Sequence, residues 1–309
     1  MNPYDETPRI PPESEPVPEN ESPSKGPSDV PPGSPILSEV LEPESLPGPV
    51  TPAKIYPLDL QITWSWPHLA VFFVFGVISL LMVQTVLAAY LAPHGLSQRK
   101  LQSYLLSNPK FSIGSMLIWY ALLFFFLYVT LSLLRGHSFW ECLGWRKIHP
   151  KVGELPRNPL VYFAAGCGLS LFVAIVSSRM KTPENIPIEE LFRYRHTALL
   201  FMAMAVLVAP LVEETLFRGY LYPLFARSFG VAPGIVLTGV LFGLMHGTQL
   251  GWTWGLVGVL VFVGIVFTIV RARTGSVFAS YLMHLGYNSL ISAFAILGTH
   301  GFTKLPPGH

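Results

Sequence analysis

Seven apolar stretches between residues 68 and 297 are the feature that most constrains the fold of this chain. A helix that crosses a bilayer needs about 20 mostly apolar residues, with a usual range of about 17–25. Six of the seven stretches meet this length, while 232–247 is short. The stretches are 68–92, 112–134, 159–177, 197–222, 232–247, 253–270 and 276–297. The sequence therefore predicts an all-α, polytopic transmembrane helix bundle with seven or eight spans.

The first 58 residues have a different composition from the rest of the chain. They carry ten acidic and three basic residues and more than half of the prolines, whereas the whole chain has a net charge of +2. Such a segment buries too little apolar surface to offset the entropy lost on ordering. It also lacks the basic region and apolar stretch of a signal peptide. Residues 1–58 are therefore predicted to form a disordered tail.

The loop at 135–157 bears on membrane orientation. Basic residues divide nine against eight between the two sides of the predicted bundle, but their clustering in this loop favours a cytoplasmic N-terminus. Within the loop, the mixed composition of Phe139–Lys147 predicts an amphipathic segment on the membrane surface. Trp64, Trp66 and Trp119 flank the first two spans, as interfacial aromatics do. The chain is predicted to be a multi-pass integral membrane protein, in the plasma or inner membrane if its source is a bacterium.

Ionisable side chains inside apolar helices are costly, so each requires a partner or a function. Glu214 and Arg218 are four residues apart, with the acid first, which is the favourable order for a helical ion pair. This pair fits a buried structural role and a direct role in a site equally well. Glu213 points about 100° away from Glu214 and has no partner in its own helix. It is the better candidate for activating water, and the alternative is a solvated carboxylate at a helix end.

The remaining polar residues fall at similar depths in their helices. His284 and Asn288 are four residues apart and project from one face of the last span. With a rise of 1.5 Å per residue, Glu213, His246, His284 and Asn288 lie about 12–21 Å from helix ends that share one membrane face. These positions predict one polar pocket within the bundle.

The same residues form three motifs in order, Glu-Glu-x-x-x-Arg, Phe-x-x-x-His and His-x-x-x-Asn. They lie at Glu213–Arg218, Phe242–His246 and His284–Asn288. This set resembles the CPBP family of CAAX proteases and bacteriocin-processing enzymes, also called Abi, type II CAAX prenyl endopeptidase-like or lysostaphin-resistance-protein-A-like proteins. The Leu143–Lys147 segment is similar to a Leu-Gly-aromatic-basic stretch of that family. The resemblance implies an intramembrane endopeptidase.

Two mechanisms fit this residue set. In the first, Glu213 and His246 activate a water as general base, and His284 and Asn288 stabilise the oxyanion. In the second, Glu213, His246 and His284 bind zinc. The absence of a His-Glu-x-x-His helix favours the metal-independent route. In both, Glu214, Arg218 and Phe242 have supporting roles.

Other functions are compatible with intramembrane Glu and His residues. An ion-coupled transporter uses such groups, but the chain lacks inverted repeats and its polar residues cluster at one depth. A non-catalytic immunity or scaffold protein is the other alternative. The predicted partners are a peptide or membrane-protein substrate and the lipid bilayer, with no nucleic acid. The predicted parts are the tail 1–58, N-terminal transmembrane helices with an amphipathic loop 59–194, a protease-like catalytic bundle 195–297 and a C-terminal tail 298–309.

Overall fold

The computed structural model describes residues 57–302, except for 94, 96, 98–99, 102–103, 106–107, 149–155, 181–191 and 193–194. The predicted disordered tail and the predicted C-terminal tail lie outside the described residues, apart from residues 57–58 and 298–302. The described residues form helices and connecting loops, with no β-strand among them.

The helices follow one another along the chain with short connections. They are α1 Trp66–Leu91, α2 Pro109–Leu127, α3 Phe139–Cys142, α4 Pro159–Ser177, α5 Arg195–Leu207, α6 Ala209–Glu214, α7 Tyr222–Phe229, α8 Val231–Met245, α9 Trp254–Thr274 and α10 Val277–Gly298. A π-helical segment at Tyr128–Leu133 extends α2, and a second one at Thr215–Leu221 joins α6 to α7. A short 3-10 turn at Leu58–Leu60 precedes α1.

Five helical stretches in the described part of the chain are long and apolar enough to cross a membrane. They are Trp66–Leu91, Lys110–Leu133, Pro159–Ser177, Arg195–Phe229 and Trp254–Thr274. Helix α8 is apolar but has only 15 residues, and α10 has 22 residues but falls outside this set. Each of the seven predicted stretches is helical, and the predicted all-α polytopic membrane bundle is confirmed.

The stretch Arg195–Phe229 is interrupted near Val208, where α5 ends and α6 begins. Pro210 explains this break, because it has no N–H to donate and its ring clashes with the preceding helical turn. The side-chain amide of Asn288 donates to the carbonyl of Ala205 at 2.7 Å, close to the break. Helix α10 therefore supports the end of α5 at the point where the chain turns into α6.

Glycines bring the helices of the second half unusually close together. Gly166 of α4 and Gly286 of α10 each face backbone of the other helix, at Met283 and Phe163, with no space for a β-carbon. Between α8 and α9, a β-carbon on Gly243 would lie 2.7 Å from the Val261 nitrogen. Small residues at such positions are the usual means of close helix packing in membranes. These contacts fix the positions of α8 and α10, which carry the two histidines of the motifs.

Part of the Phe139–Lys147 segment is buried in the bundle, and its predicted place on the membrane surface stays a prediction. Only its first part is an exposed short helix, and Leu143 is fully buried. The backbone carbonyl of Gly144 accepts from the Val277 N–H at 2.9 Å, and the Trp145 indole donates to the Thr215 hydroxyl at 3.1 Å. The loop therefore enters the bundle and packs against the π-helical segment Thr215–Leu221. Its Leu-Gly-Trp sequence is apolar and compact enough to be buried there.

Residues 57–68, which we call the N-terminal strap, also pack against the second half of the chain. Trp64 is 3% exposed and donates to the Tyr220 carbonyl at 3.1 Å, so it is a core residue rather than the interfacial aromatic that the sequence predicted. Asp59 pairs with the buried Arg271 at 3.4 Å. Nδ1 of His68 lies 2.6 Å from the Tyr220 hydroxyl. The strap thus connects α1 to the π-helical segment and to the end of α9.

Candidate active site

Glu213 lies near the end of α6, two residues before the π-helical segment Thr215–Leu221. Its carboxylate oxygens face two imidazoles: Oε1 lies 3.8 Å from Nε2 of His246, and Oε2 lies 3.8 Å from Nε2 of His284. The Glu213 side chain is 17% exposed. The structure therefore brings together three of the four residues that the sequence places in one pocket.

His246 follows the last residue of the short helix α8. Its Nδ1 lies 2.7 Å from the Phe242 carbonyl, which can only accept a hydrogen bond. Nδ1 therefore carries the proton, and in the neutral ring the lone pair is on Nε2, the atom that faces Glu213. The spacing of the Phe-x-x-x-His motif thus fixes the tautomer of His246, since Phe242, four positions earlier, supplies the carbonyl that accepts from Nδ1.

His284 lies in α10 and is held from the opposite side of the pocket. Its Nδ1 is 3.0 Å from Oε1 of Glu214, and its side chain is 4% exposed. An ionised carboxylate accepts only, so Nδ1 of His284 is the donor. The ring also packs against Phe267, with centroids 4.7 Å apart. These contacts orient Nε2 of His284 toward Glu213.

Glu214 and Arg218 form the ion pair that their spacing predicts. Nη1 of Arg218 lies 2.9 Å from Oε1 of Glu214, and both side chains are fully buried. Arg218 also donates to the Gly264 carbonyl at 2.8 Å and to the Thr268 hydroxyl at 3.2 Å. The same Glu214 oxygen also accepts from Nδ1 of His284. The ion pair therefore stabilises the bundle and also positions the His284 ring.

Phe242 forms one wall of this arrangement. It is 2% exposed, and its ring lies 4.8 Å from the His246 ring and 5.8 Å from the His284 ring, centroid to centroid. The Arg218 guanidinium carbon lies 4.5 Å from the Phe242 ring centroid, within the range of a cation–π contact. The ring thus contacts both histidines and the guanidinium of the buried ion pair.

Asn288 lies one helical turn beyond His284, and its amide is committed in part to Ala205, as described above. One of its two N–H groups is used in that bond, which leaves the second as a donor. Among the contacts of the described residues, Asn288 is joined to α5 rather than to Glu213 or His246. Its place in the pocket follows from its position on the His284 face of α10.

The predicted zinc ligands are Glu213, His246 and His284, whose side chains lie together in the structure. In the described part of the chain, no group of three or more His, Cys, Asp or Glu side chains is arranged to hold a metal ion. Nδ1 of each histidine has another partner, and Nε2 of both rings faces Glu213. Zinc binding by these three residues stays a prediction, as does the metal-independent route.

Several contacts at the site involve residues that the motifs do not include. Gly264 and Thr268 of α9 bind Arg218, and Phe267 packs on His284. Tyr120 of α2 lies within electrostatic range of Glu213. Gly264 and Thr268 are four residues apart, a helical-face pattern, but nothing in the sequence of α9 marks it as the partner of Arg218.

The fold and the site together define an integral membrane protein of helical type with Glu and His side chains enclosed in its bundle. Residues 195–290 match the sequence model of a family described as Rce1-like, type II CAAX prenyl endopeptidase Rce1-like. This segment, about a third of the chain, is therefore similar to the CAAX proteases that the sequence motifs resemble. No curated protein and no solved structure matches the chain significantly.

Proposed function

We propose that the chain is an intramembrane endopeptidase in which Glu213 activates the water that attacks a peptide bond. The observation that carries this proposal is the position of the Glu213 carboxylate between Nε2 of His246 and Nε2 of His284, 3.8 Å from each. This separation is longer than a hydrogen bond and fits one water that contacts both a carboxylate oxygen and a ring nitrogen.

The protonation states follow from the hydrogen bonds of the histidines. Because Nδ1 of His246 donates to a carbonyl, its Nε2 accepts, as does the Glu213 carboxylate. A water between them donates one hydrogen to each, and its oxygen lone pair is directed to the substrate carbonyl carbon. As the C–O bond forms, the carbonyl π electrons move to oxygen and the water proton passes to Glu213. When the C–N bond breaks, Glu213 returns that proton to the leaving amine.

The oxyanion requires hydrogen-bond donors, and two are available. The second N–H of the Asn288 amide is one. His284 is the other, but since its Nδ1 proton is held by Glu214, its Nε2 donates only when the ring carries both protons. In this proposal Glu214 stabilises that imidazolium, while Arg218 balances the charge of Glu214.

The substrate that this site supports is a membrane-associated or C-terminal peptide segment. His246 lies at the end of the 15-residue helix α8, so one side of the pocket is bounded by a turn rather than by a full helix. The side-chain exposures of Glu213 and His246, 17% and 20%, exceed the 4% of His284, which is consistent with entry from that side. The family description names a CAAX prenyl endopeptidase.

The orientation of the chain in the membrane, with a cytoplasmic N-terminus, stays a prediction.

The direct test of this function is a comparison of membrane proteins from cells that carry the wild-type chain or Glu213→Ala. We expect new peptide termini, found by mass spectrometry of terminal peptides, only with the wild type. Identical sets of termini at equal protein levels would contradict the proposed peptidase activity.

The metal-independent route predicts that activity survives exhaustive treatment with a strong chelator. The physical reason is that the Glu213 carboxylate and Nε2 of His246 both accept from the water, so no metal ion is needed to hold it. The measurement is the cleavage rate before and after chelation, together with the metal content of the purified protein. About one equivalent of zinc that is lost in His284→Ala, with loss of activity on chelation, would show the zinc mechanism instead.

A further inference from the structure

A cavity separate from the Glu213 site lies where α4 and α10 begin. It has a volume of about 530 Å³ and is lined by Trp145, Arg146, Lys147, Ile148, Arg157, Pro159 and Phe278. This volume is within the range of small-molecule sites, about 300–1,000 Å³. Pro159 is the first residue of α4 and Phe278 the second residue of α10, so the cavity lies at the ends of two helices of the membrane bundle.

The lining of this cavity combines two chemistries. Three of its residues are cationic and none is acidic, while Trp145, Ile148, Pro159 and Phe278 give it an apolar side. Arg146 is held in place, since its guanidinium donates to the Glu141 carbonyl at 3.2 Å through Nε and at 3.1 Å through Nη2. A ligand that matches this lining has a negative charge next to an apolar group.

The outer surface next to the cavity is apolar. Leu160 and Val161, which follow Pro159 in α4, are 72% and 42% exposed. In a membrane bundle such side chains contact acyl chains, so the cationic lining lies where lipid head groups meet the protein. Basic pockets between helices at this level are suited to anionic head groups.

We propose that this cavity binds the head group of an anionic phospholipid, with Lys147 and Arg157 contacting the phosphate and the acyl chains lying along α4. The inference does not rest on the proposed peptidase activity. Hydrogen bonds also connect the cavity to the elements of the Glu213 site. Trp145 donates to Thr215, next to Glu214, and the Arg146 carbonyl accepts from the Ser276 hydroxyl at 2.5 Å, at the start of the helix that contains His284.

The test uses the purified full chain and phosphatidylglycerol in phosphatidylcholine nanodiscs, with bound lipid counted by native mass spectrometry. In the double variant Lys147→Gln with Arg157→Gln we expect about tenfold weaker retention of phosphatidylglycerol, since two of the three cations of the cavity are lost. The matched control is Lys110→Gln with Arg179→Gln, which removes the same charges from exposed positions at the start of α2 and the end of α4. This control should retain the lipid as the wild type does.

Three outcomes would overturn the proposal. Equal loss of lipid in both double variants would show a general effect of net charge. Displacement of the lipid by millimolar inorganic phosphate or glycerol phosphate would show a site for the free anion. Displacement by a peptide with a free C-terminal carboxylate, but not by its amide, would show a peptide subsite. Thermal unfolding in neutral lipid shows whether the test variant is folded. Both of its substituted residues are exposed, so we expect its unfolding temperature to equal that of the wild type.

Discussion

Glu213→Gln is expected to remove essentially all peptide cleavage while the protein inserts and accumulates normally. The amide keeps the shape and polarity of the side chain but cannot accept the proton of the attacking water. General-base catalysis contributes about 10²–10⁴-fold, so the residual rate should be lower by at least about a hundredfold. His246→Ala should have the same effect, since its Nε2 lies 3.8 Å from Glu213 and holds the other hydrogen of the water. The measurement is the cleavage rate of one peptide substrate by equal amounts of purified protein.

Two control variants separate the loss of this base from a general effect. Glu141→Gln changes the same side chain at an exposed position, and His137→Ala removes a histidine outside the bundle core. Both should retain the wild-type rate. Cleavage at the wild-type rate by Glu213→Gln would remove Glu213 from the mechanism, whatever the behaviour of His246→Ala.

Arg218→Met is expected to destabilise the protein strongly and to lower its activity as well. Breaking a buried ion pair leaves an uncompensated charge, here Glu214 in a fully buried position, and typically costs about 3–5 kcal/mol. The substitution also leaves the Gly264 carbonyl without its donor. The measurement is the free energy of unfolding in detergent micelles. Arg273→Met, at an exposed position near the end of α9, is the matched control and should be close to wild type.

A double variant separates the two roles of Arg218. Removing Glu214 as well, in Glu214→Met with Arg218→Met, takes away the stranded charge and should recover a large part of the lost stability. Activity should not recover, because Nδ1 of His284 then has no carboxylate to orient the ring and to stabilise its imidazolium. If Arg218→Met alone is as stable as the wild type but inactive, Arg218 acts only at the site and its structural role is wrong.

The elements that the sequence predicts well are those fixed by helix geometry. The rise and turn of an α-helix are constant, so spacing alone placed Glu213, His246 and His284 at similar depths, and the structure brings them within contact distance. The Glu214–Arg218 pair follows from the same regularity. The helix starts at Pro109 and Pro159 are likewise local, since asparagine caps each of them through a side-chain hydrogen bond.

The contacts that spacing did not predict are those between distant parts of the chain. Arg271 directly follows the apolar stretch 253–270, where the sequence places a loop, yet it is 1% exposed and pairs with Asp59, 212 positions away. The second role of Glu214, as the partner of His284, depends on the close approach of α10. Periodicity describes one helix at a time, so it contains no information about which faces meet. The position of Arg271 at the end of an apolar helix is the sequence feature that could have indicated a buried cation with an acidic partner.

The N-terminal strap has a consequence for what can fold by itself. The family match begins at residue 195, yet Tyr220 and Arg271 within it are covered by Trp64 and Asp59. Cutting the chain down to the matched segment would expose the Tyr220 ring and leave the Arg271 charge buried without its acid. We therefore expect that the matched segment does not fold by itself. The motifs lie within the matched segment, whereas two of the residues that cover it precede the match, so a fragment designed to fold should include Asp59 and Trp64.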